Sequence, residues 1–389
     1  MNDTFTTSTR AADLLRRYTP GSNVFVSPRQ TLLTTGCRAV LQGRDMQRLS
    51  MAARDMLVAD DVLIGTIPFN SDTPTYLVIP EATSRAPGNH GESPPLTQQT
   101  GKSSPSAVAL APTPDGYRAA VSAALSRIAR HELAKVVLSR SLTVAARIDL
   151  PQLLQRLAER NLHGYTFAID LARSRGEPRT LIGASPELLL AKQDGIISSH
   201  PLAGSVPRVP DPVTDKRNAE RLLQSAKDLY EHKVVVDAVA EALAPHCSEL
   251  TVPSGPALVR TSTMWHLGTQ IQGLLRNAQA SSLELALALH PTPAVCGYPT
   301  HIARDFISEV EGFDRGYFTG LTGWMNKQGD GEWAVTIRCA EVGKESATLY
   351  AGAGIVAGSD PDLELAETSG KLRTMLAAME LDNALEGWA

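Results

Sequence analysis

The chain has 389 residues, of which 43% are apolar and 20% are charged, as is typical of a soluble globular protein with a sizeable core. Its formal net charge of −4 disfavours a general nucleic-acid binder, which needs an excess of Lys and Arg to meet phosphates. No run of apolar residues approaches the eighteen of a membrane span, and the N-terminal residues MNDTFTTSTRAADLLRR lack the apolar core of a signal peptide. These features predict a cytoplasmic protein with neither a nucleic-acid nor a membrane partner.

The four cysteines are scattered and form no CxxC or Cys/His cluster: Cys37, Cys247, Cys296 and Cys339. They indicate neither a disulfide framework nor a zinc site, and we expect ordinary buried thiols.

The first third of the chain mixes strand-like and helix-like stretches. Residues 1–80 include the strand-like runs NVFVSP, VLIGTIPF and PTYLVIP but are too poor in apolar sequence for a separate core. Residues 81–115 are rich in Pro, Ser, Gly and Thr, which predicts an exposed, mobile loop or alternatively a domain linker. We favour a single domain over residues 1–389 that carries this loop on its surface.

Regular elements follow from residue 116. The sequence predicts a helix over 116–131, a strand KVVLSRSLTV, a helix over 151–160 and two strands, YTFAIDL and TLIGASPELLLAK. Lys135 opens the first of these strands, where a lysine is most often a solvated edge charge. Glu187 lies between a turn and a buried run, so its carboxyl is expected to be desolvated with a raised pKa. A turn-capping glutamate is the alternative.

The middle of the chain predicts a strand SSHPLAGSVPR, a long helix over 214–243 and one long strand, LVRTSTMWHLGTQIQGLL. Lys227, Asp228 and Glu231 share a face of the helix, so Glu231 is either an ordinary partner of Lys227 or a metal carboxylate. A lone histidine such as His266 is by default a core or loop residue satisfied by hydrogen bonds.

Two helices, SLELALALH and 300–311, flank the loop HPTPAVCGYP, and the glycine-spaced run FDRGYFTGLTGW then enters another strand.

The last segment predicts two strands and a helix. In GEWAVTIRCAEV the side chains alternate, and the next strand stops at Gly352 and Gly354, where backbone amides can approach a ligand. On the helix Glu364, Glu367 and Lys371 share one face. The Glu367–Lys371 spacing is that of an i,i+4 ion pair, which is most often solvated surface.

Ten blocks of this sequence resemble the chorismate-utilising enzymes in order and spacing. They are KVVLSR, LIGASPELLL, HPLAGSVPR, KDLYEHKVVVDAV, TSTMWHLGT, LHPTPAVCGYP, FDRGYFTGLTGW, GEWAVTIRCAEV, YAGAGIV and ETSGKLRTML. The resemblance covers about residues 135–379 and is closest to the siderophore-type isochorismate synthases, which are related to salicylate synthase and anthranilate synthase component I. It implies an α+β fold of two packed antiparallel sheets with helices outside. Residues 1–80 would be the variable part of this chorismate-binding domain and residues 116–379 its catalytic core.

The resemblance also implies a magnesium site. Glu231 and Glu367 match the family's Mg²⁺ carboxylates, and a hard cation between them would offset the repulsion of the chorismate dianion. In most relatives a glutamate precedes the lysine of the KDLYEH block, whereas this chain has Ala226, which leaves any role for that carboxylate in doubt.

Further positions match groups that hold the substrate. Arg338 and Lys371, with backbone amides near Gly352 and Gly354, match those that bind its carboxylates. Four residues resemble other positions that line the substrate site: Gly204, Ser205, His266 and Ala294.

Lys135 indicates which reaction is implied. Relatives that use ammonia carry glutamine at this position, and those that add water carry lysine. The resemblance therefore implies that Lys135 acts as the base for attack of water at ring C2, while Glu187 protonates the departing C4 hydroxyl and isochorismate forms. A salicylate synthase, which also eliminates pyruvate, is the alternative within the family, and an aminating subunit fed by a partner amidotransferase is another. No nucleotide, flavin or obligatory protein partner is expected.

Overall fold

The computed structural model describes residues 9–89, 108–381 and 384. Its helices are α1 (Ala11–Arg16), α2 (Met46–Met56), α3 (Pro114–Ala129), α4 (Leu150–Arg160), α5 (Ala172–Arg175), α6 (Pro212–Leu222), α7 (Ala226–Leu243), α8 (Ser282–Leu289), α9 (Thr300–Val310) and α10 (Pro361–Met379). In this part of the chain no helix is long and apolar enough to cross a membrane.

The strands fall into an N-terminal, a central and a C-terminal group. The first group is β1 (Asn23–Val26), β2 (Gln30–Thr35), β3 (Ala39–Gly43), β4 (Val62–Ile67), β5 (Thr75–Ile79), β6 (Ala82–Pro87) and β7 (Val108–Ala111). The second is β8 (Lys135–Val144), β9 (Tyr165–Asp170), β10 (Thr180–Ser185), β11 (Leu188–Gln193), β12 (Ile196–His200) and β13 (Leu202–Pro207). The third is β14 (Cys247–Thr251), β15 (Ala257–Arg260), β16 (Met264–Gly268), β17 (Ile271–Leu275), β18 (Gly297–Tyr298), β19 (Leu321–Asn326), β20 (Gly331–Val335), β21 (Cys339–Val342) and β22 (Ala347–Ile355).

Within the described residues the strands form two large sheets and one small sheet. Sheet 1 has ten strands in the order β18-β8-β22-β21-β10-β9-β1-β2-β6, with β7 also on β8. Sheet 2 has nine, in the order β14-β17-β12-β11-β20-β19-β4-β5-β3, and the small sheet is β13-β16-β15. The paired strands are antiparallel throughout, as in the β8–β22 ladder of nine residue pairs. The predicted α+β architecture is confirmed, and the small sheet was not foreseen.

The two large sheets pack face to face. Phe25, Phe167 and Ile169 of sheet 1 share one buried cluster with Ile64 and Val78 of sheet 2. On the outer side of sheet 1 a second cluster is formed with α1, α4 and α10, and on the outer side of sheet 2 a third is formed with α2, α7 and α8. The N-terminal strands thus extend both sheets, because their apolar faces complete the shared core.

The chain passes from one large sheet to the other at two short links, and here two predictions are wrong. TLIGASPELLLAK was predicted as one strand, but it divides at Pro186–Glu187 into β10 of sheet 1 and β11 of sheet 2. GEWAVTIRCAEV divides at 336–338 into β20 of sheet 2 and β21 of sheet 1. Proline has no N–H for a ladder, and Arg338 adopts a φ of +50°, which no regular strand allows.

Three other predicted elements are also divided. SSHPLAGSVPR forms β12 and β13, and LVRTSTMWHLGTQIQGLL forms β15, β16 and β17. The helix predicted over 214–243 is two helices, α6 and α7, because the Ser225 hydroxyl accepts a hydrogen bond from Asp228 N and begins a new helix. Because the two predicted strands are divided, β13 and β16 lie in a separate small sheet beside α7.

The loop predicted over residues 81–115 is wrong at both ends. Strand β6 occupies Ala82–Pro87 and pairs with β2, and strand β7 occupies Val108–Ala111 and pairs with β8. The remainder of the predicted loop, 90–107, lies outside the described residues. Backbone pairing with neighbouring strands therefore outweighs the turn-rich composition at its two ends.

Candidate active site

One cavity gathers eleven of the twelve side chains or glycines singled out in the sequence. Its empty space, counted out to its open mouth, is about 650 Å³. Its lining includes Glu187, Gly204, Ser205, Glu231, His266, Ala294, Arg338, Gly352, Gly354, Glu367 and Lys371. The remaining residue, Lys135, lies behind this lining.

Lys135 is buried beneath the cavity wall. Its side chain has no exposed surface, and its Nζ lies 3.0 Å from Oε1 of Glu231. No described residue offers this ammonium a well-aligned hydrogen bond. The short strand β18 covers the start of β8, with Tyr298 opposite Lys135, so the interpretation of Lys135 as a solvated edge charge is wrong. The partner of Glu231 is Lys135, and not Lys227 as the helical spacing allowed.

Glu187 lies on the link between β10 and β11, where the two sheets meet. Its backbone is fixed because Glu187 N donates to Ser185 Oγ at 3.2 Å and its carbonyl accepts from Val335 N at 3.1 Å. Burial raises the pKa of its carboxyl to about 7, although a hydrogen bond from Leu202 N and the charge of Lys135 act in the opposite direction. Glu187 is therefore a carboxyl that can hold a proton near neutral pH.

Arg338 lies on the second link between the sheets. Burial lowers the pKa of its guanidinium to about 10, while the charges of Glu367 and Glu187 oppose that shift, so it remains a cation. Its Nη2 lies 3.5 Å from Nε2 of His266. Burial, Arg338 and Lys371 together hold the pKa of His266 well below its usual range, so that ring is neutral and can accept from Arg338.

Helix α10 presents Glu367 and Lys371 to the cavity. Their Oε1 and Nζ atoms are 2.6 Å apart, and the side chains are only 20% and 14% exposed, so the interpretation as a solvated surface pair is wrong. Glu367 Oε1 also accepts from Ser205 Oγ at 2.9 Å. Burial alone would raise the pKa of Glu367, but Lys371 and Ser205 hold it below its ordinary value, so this carboxylate stays charged.

Two glycines of β22 leave space that neighbouring side chains occupy. A Cβ at Gly354 would lie 2.0 Å from Glu231 Oε1, and one at Gly352 would lie 2.5 Å from Ser139 Oγ. The Gly352 carbonyl accepts from Lys371 Nζ at 2.8 Å. The glycines therefore serve close approach by side chains, and a role for their amides in holding a ligand stays a prediction.

A third glycine, Gly204, has a φ of +77° at the point where the register between β13 and β16 shifts. It belongs to a bulge that brings Ser205 opposite His266.

The donor set at this cavity fits a hard divalent cation. Glu231 and Glu367 each use Oε1 for contacts within the protein, and no described residue hydrogen-bonds the second oxygen of either carboxylate. Glu364, on the same helix as Glu367, is outside the cavity lining, and its Oε1 accepts from Lys227 Nζ at 2.9 Å. No three His, Cys, Asp or Glu side chains in the described ranges form a complete metal cage. Two carboxylates that each keep one oxygen unused by the described residues suit Mg²⁺, which binds through one or two carboxylates and fills its shell with water and ligand oxygens.

Sequence reasoning did not single out several residues of the cavity lining, among them Phe318, Thr319 and Tyr350. A signal for Tyr350 was present, because it precedes Gly352 and Gly354 at strand spacing and so shares their face. Phe318 and Thr319 follow the FDRG run, where Thr319 adopts a φ of +60°; no sequence pattern predicts this for a β-branched residue.

The cavity combines two kinds of chemistry. Arg338 and Lys371 are cations that can hold carboxylates, and Glu187 is a carboxyl that can donate a proton near neutrality. The lining also includes apolar side chains, among them Val137, Val295, Phe318 and Ile337. Such a site suits a small anionic molecule with an apolar body, whose reaction needs proton transfer.

Comparisons with known proteins agree with this geometry. A family model described as "Chorismate binding enzyme" matches residues 83–380. The chain is 46% identical to "Isochorismate synthase DhbC" of Bacillus subtilis (strain 168), over 97% of this chain and 98% of that protein. It is 42% identical to the "Vibriobactin-specific isochorismate synthase" of Vibrio cholerae, over 93% and 92% of the two chains.

A solved structure shows the same fold over nearly the whole length. The "putative 2,3-dihydroxybenzoate-specific isochorismate synthase, DhbC from Bacillus anthracis" superposes with a TM-score of 0.90 at 44% identity, covering 95% of this chain and 100% of that one. The similarity therefore extends over both large sheets and includes the elements that line the cavity.

Proposed function

We propose that this chain, which belongs to the family of chorismate-binding enzymes, is an isomerase that converts chorismate into isochorismate. One observation supports this above all: a single cavity brings together a carboxyl with a pKa of about 7, two cations and two further carboxylates. The relatives named isochorismate synthase match over more than nine-tenths of the chain. The substrate is a dianion, which the two cations Arg338 and Lys371 suit.

Arg338 and Lys371 bind the carboxylates of the substrate. The guanidinium offers a planar pair of donors and the ammonium a point charge. In the free protein Lys371 is held by Glu367 and by the Gly352 carbonyl, so it is already turned into the cavity when substrate arrives. We expect this preorganisation to reduce the ordering that binding requires.

Glu231 and Glu367 would hold magnesium, which would supply positive charge to offset that of the substrate. Glu231 would then contact both the cation and the Lys135 ammonium. Both carboxylates would otherwise repel a dianion, so occupancy by a cation and binding of substrate should favour each other.

Lys135 and Glu187 carry out the proton transfers. Lys135, which lies behind the lining beside Glu231, is the proposed acceptor of a proton from the water whose oxygen bonds to ring C2. Glu187 gives its proton to the C4 hydroxyl, which departs as water while the two ring double bonds shift. One water is added and one is lost, so the product is an isomer of the substrate, and no oxidant or nucleotide is needed.

Incubation of the purified chain with chorismate and Mg²⁺ tests the proposal. Without any added protein partner, we expect isochorismate to accumulate until it is in equilibrium with chorismate. Liquid chromatography measures both compounds over time. Prompt stoichiometric pyruvate with salicylate fluorescence would instead identify a salicylate synthase. An aminated product in ammonium buffer would identify the third alternative, and unchanged chorismate would refute all three.

We further propose that the product enters a catechol siderophore route through 2,3-dihydroxybenzoate. The support is the naming of relatives as vibriobactin-specific and 2,3-dihydroxybenzoate-specific. Expression in a bacterium lacking its siderophore isochorismate synthase should restore catechol secretion under iron limitation. Failure to restore it, despite activity in the extract, would refute this assignment alone.

A further inference from the structure

Arg315 and Glu311 form an ion pair behind the cavity that the proposed reaction does not use. Each side chain is only 2% exposed, and neither residue lines the cavity. Glu311 accepts from Arg315 through both of its oxygens. Desolvation of two charges is costly, and an apolar pair of similar volume often stabilises a core as well or better. A contribution to fold stability therefore does not by itself explain why this buried ion pair is present.

The Arg315 guanidinium uses all five of its N–H groups. Besides its bonds to Glu311, it donates to Val295 O at 2.8 Å, to Val137 O at 2.8 Å and to Thr319 Oγ1 at 3.2 Å. Val137, Val295 and Thr319 all line the cavity. They come from β8, from the loop after α8 and from the loop before β19, so one side chain ties three separate wall segments together.

Glu311 adds a second tie to the same strand. Its Oε1 accepts from Ser139 N at 2.7 Å, two residues beyond Val137 on β8. Lys135 begins that strand, two residues before Val137. The ion pair therefore hydrogen-bonds the backbone of β8 at Val137 and Ser139, two and four residues after the proposed base Lys135.

The conformation of Thr319 also depends on this contact. Its φ of +60° is unfavourable for a β-branched residue and persists only where the surroundings impose it. Thr319 Oγ1 accepts from Arg315 and donates to the carbonyl of Phe318. The guanidinium thus helps to hold an otherwise strained part of the cavity wall.

We propose that Arg315, oriented by Glu311, is a positioning residue that fixes β8, and with it Lys135, relative to the wall formed by Val295 and Thr319. The inference rests on the proposed function, because it concerns the base of that reaction. Only arginine offers five donors in a rigid plane, whereas lysine offers three on a flexible stem. Arg315→Lys therefore keeps the buried charge and loses most of the ties.

The test compares Arg315→Lys and Thr319→Val with Lys192→Met in the full-length enzyme. Lys192 is a matched control, since it is 3% exposed, lies 2.6 Å from Asp330 and is outside the cavity. For Arg315→Lys we expect kcat per folded molecule to fall about 10- to 100-fold while KM changes less than about threefold. Thr319→Val should lower kcat by roughly 3- to 10-fold. Lys192→Met should lower the thermal midpoint and leave kcat unchanged.

Several outcomes would overturn the inference. One is an Arg315→Lys enzyme whose kcat and KM both stay near the wild-type values; another is a loss of activity that only follows the loss of folded protein. If Arg315→Lys does not fold, an unchanged kcat in Thr319→Val would refute the inference. A wild type that forms no isochorismate refutes the proposed function and this inference together, whereas normal wild-type turnover with an unaffected Arg315→Lys refutes the inference alone.

Discussion

Lys135 and Glu231 form a buried ion pair at the edge of the cavity. The Nζ and Oε1 atoms are 3.0 Å apart, with 0% and 8% of the side chains exposed. Glu231 lines the cavity and Lys135 does not, so Glu231 is the nearest acidic group through which the cavity contents can affect Lys135. Removal of either member leaves the other as an uncompensated buried charge. The two residues are therefore interdependent in both folding and chemistry.

Gly354→Ala is expected to abolish activity and to destabilise the fold. An added Cβ would lie 2.0 Å from Glu231 Oε1 and 3.0 Å from Lys135 Cε. The added methyl group displaces the Glu231 carboxylate, so the metal-binding oxygens move and the buried Lys135 ammonium loses the carboxylate that compensates its charge. We expect kcat/KM per folded molecule to fall at least about 100-fold and the thermal midpoint to fall as well, measured by steady-state kinetics and calorimetry.

Gly370→Ala is the matched control for that substitution. Gly370 lies in α10 with Glu367 and Lys371, and no atom lies within 4 Å of its added Cβ. Alanine in a helix interior is worth about 0.5–1 kcal/mol over glycine, so this variant should be slightly stabilised and fully active. Wild-type activity in Gly354→Ala would show that the space beside Glu231 is not needed.

Lys135→Gln is expected to abolish water addition. A positioned proton transfer typically contributes about 10²- to 10⁴-fold, and the amide has no basic nitrogen. Lys192→Gln, at the other deeply buried lysine paired with a carboxylate, should keep its turnover per folded molecule. Near-full isochorismate formation by Lys135→Gln would remove this residue from the role of base.

The sequence predicted individual strands well but not the points where the chain changes sheets. Alternation of side chains continues unbroken through GEWAVTIRCAEV, yet the strand breaks at Arg338 in a conformation with φ of +50°. Tertiary packing of the two sheets imposes that break, and no glycine marks it. The environment of Glu187 was predictable, because a turn followed directly by an apolar run indicates burial on local grounds alone.

The surroundings of Lys135 and Lys371 show why exposure could not be predicted from spacing. Lys135 is covered by β18, a strand of two residues, which is too short to produce a pattern. Lys371 forms the predicted i,i+4 pair with Glu367, but the face of α10 that carries the pair closes a cavity formed by distant strands. Local periodicity predicts which residues share a face, whereas long-range packing decides whether that face meets solvent.

Magnesium is expected to stabilise the wild-type protein through Glu367. A ligand that binds only the native state at 100 times its Kd adds about 2.7 kcal/mol, so Mg²⁺ should raise the thermal midpoint by several degrees and chelation should abolish turnover. Glu367→Gln should lose both effects, because an amide lacks the negative charge with which a carboxylate binds Mg²⁺. Glu309→Gln, at an exposed ion pair, should keep both. An equal Mg²⁺-induced shift in Glu367→Gln would contradict the assigned site.

The pH dependence of catalysis should follow Glu187. Its pKa of about 7, raised by burial, means that the proton donor is lost as pH rises through neutrality. We therefore expect kcat/KM to decline above about pH 7, and Glu187→Gln to lose about 10²- to 10⁴-fold in kcat. Glu332→Gln is the control, since burial also raises the pKa of that carboxyl outside the cavity, and it should retain the wild-type decline. A flat profile up to pH 9 would exclude Glu187 as the donor.

Glu187→Gln should also become more stable than the wild type as pH rises. The carboxyl has a pKa of about 7 when folded against a reference of 4.5, so between these values the folded state binds more protons than the unfolded state. Stability of the wild type therefore decreases as pH rises through this window, by on the order of 3 kcal/mol in total at about 1.4 kcal/mol per tenfold change in acidity. Glutamine mimics the protonated form and cannot ionise. Urea unfolding should give similar free energies for the two proteins at pH 5 and a clear advantage for Glu187→Gln at pH 8; a difference that does not change with pH would mean that burial of this carboxyl does not disfavour its charge.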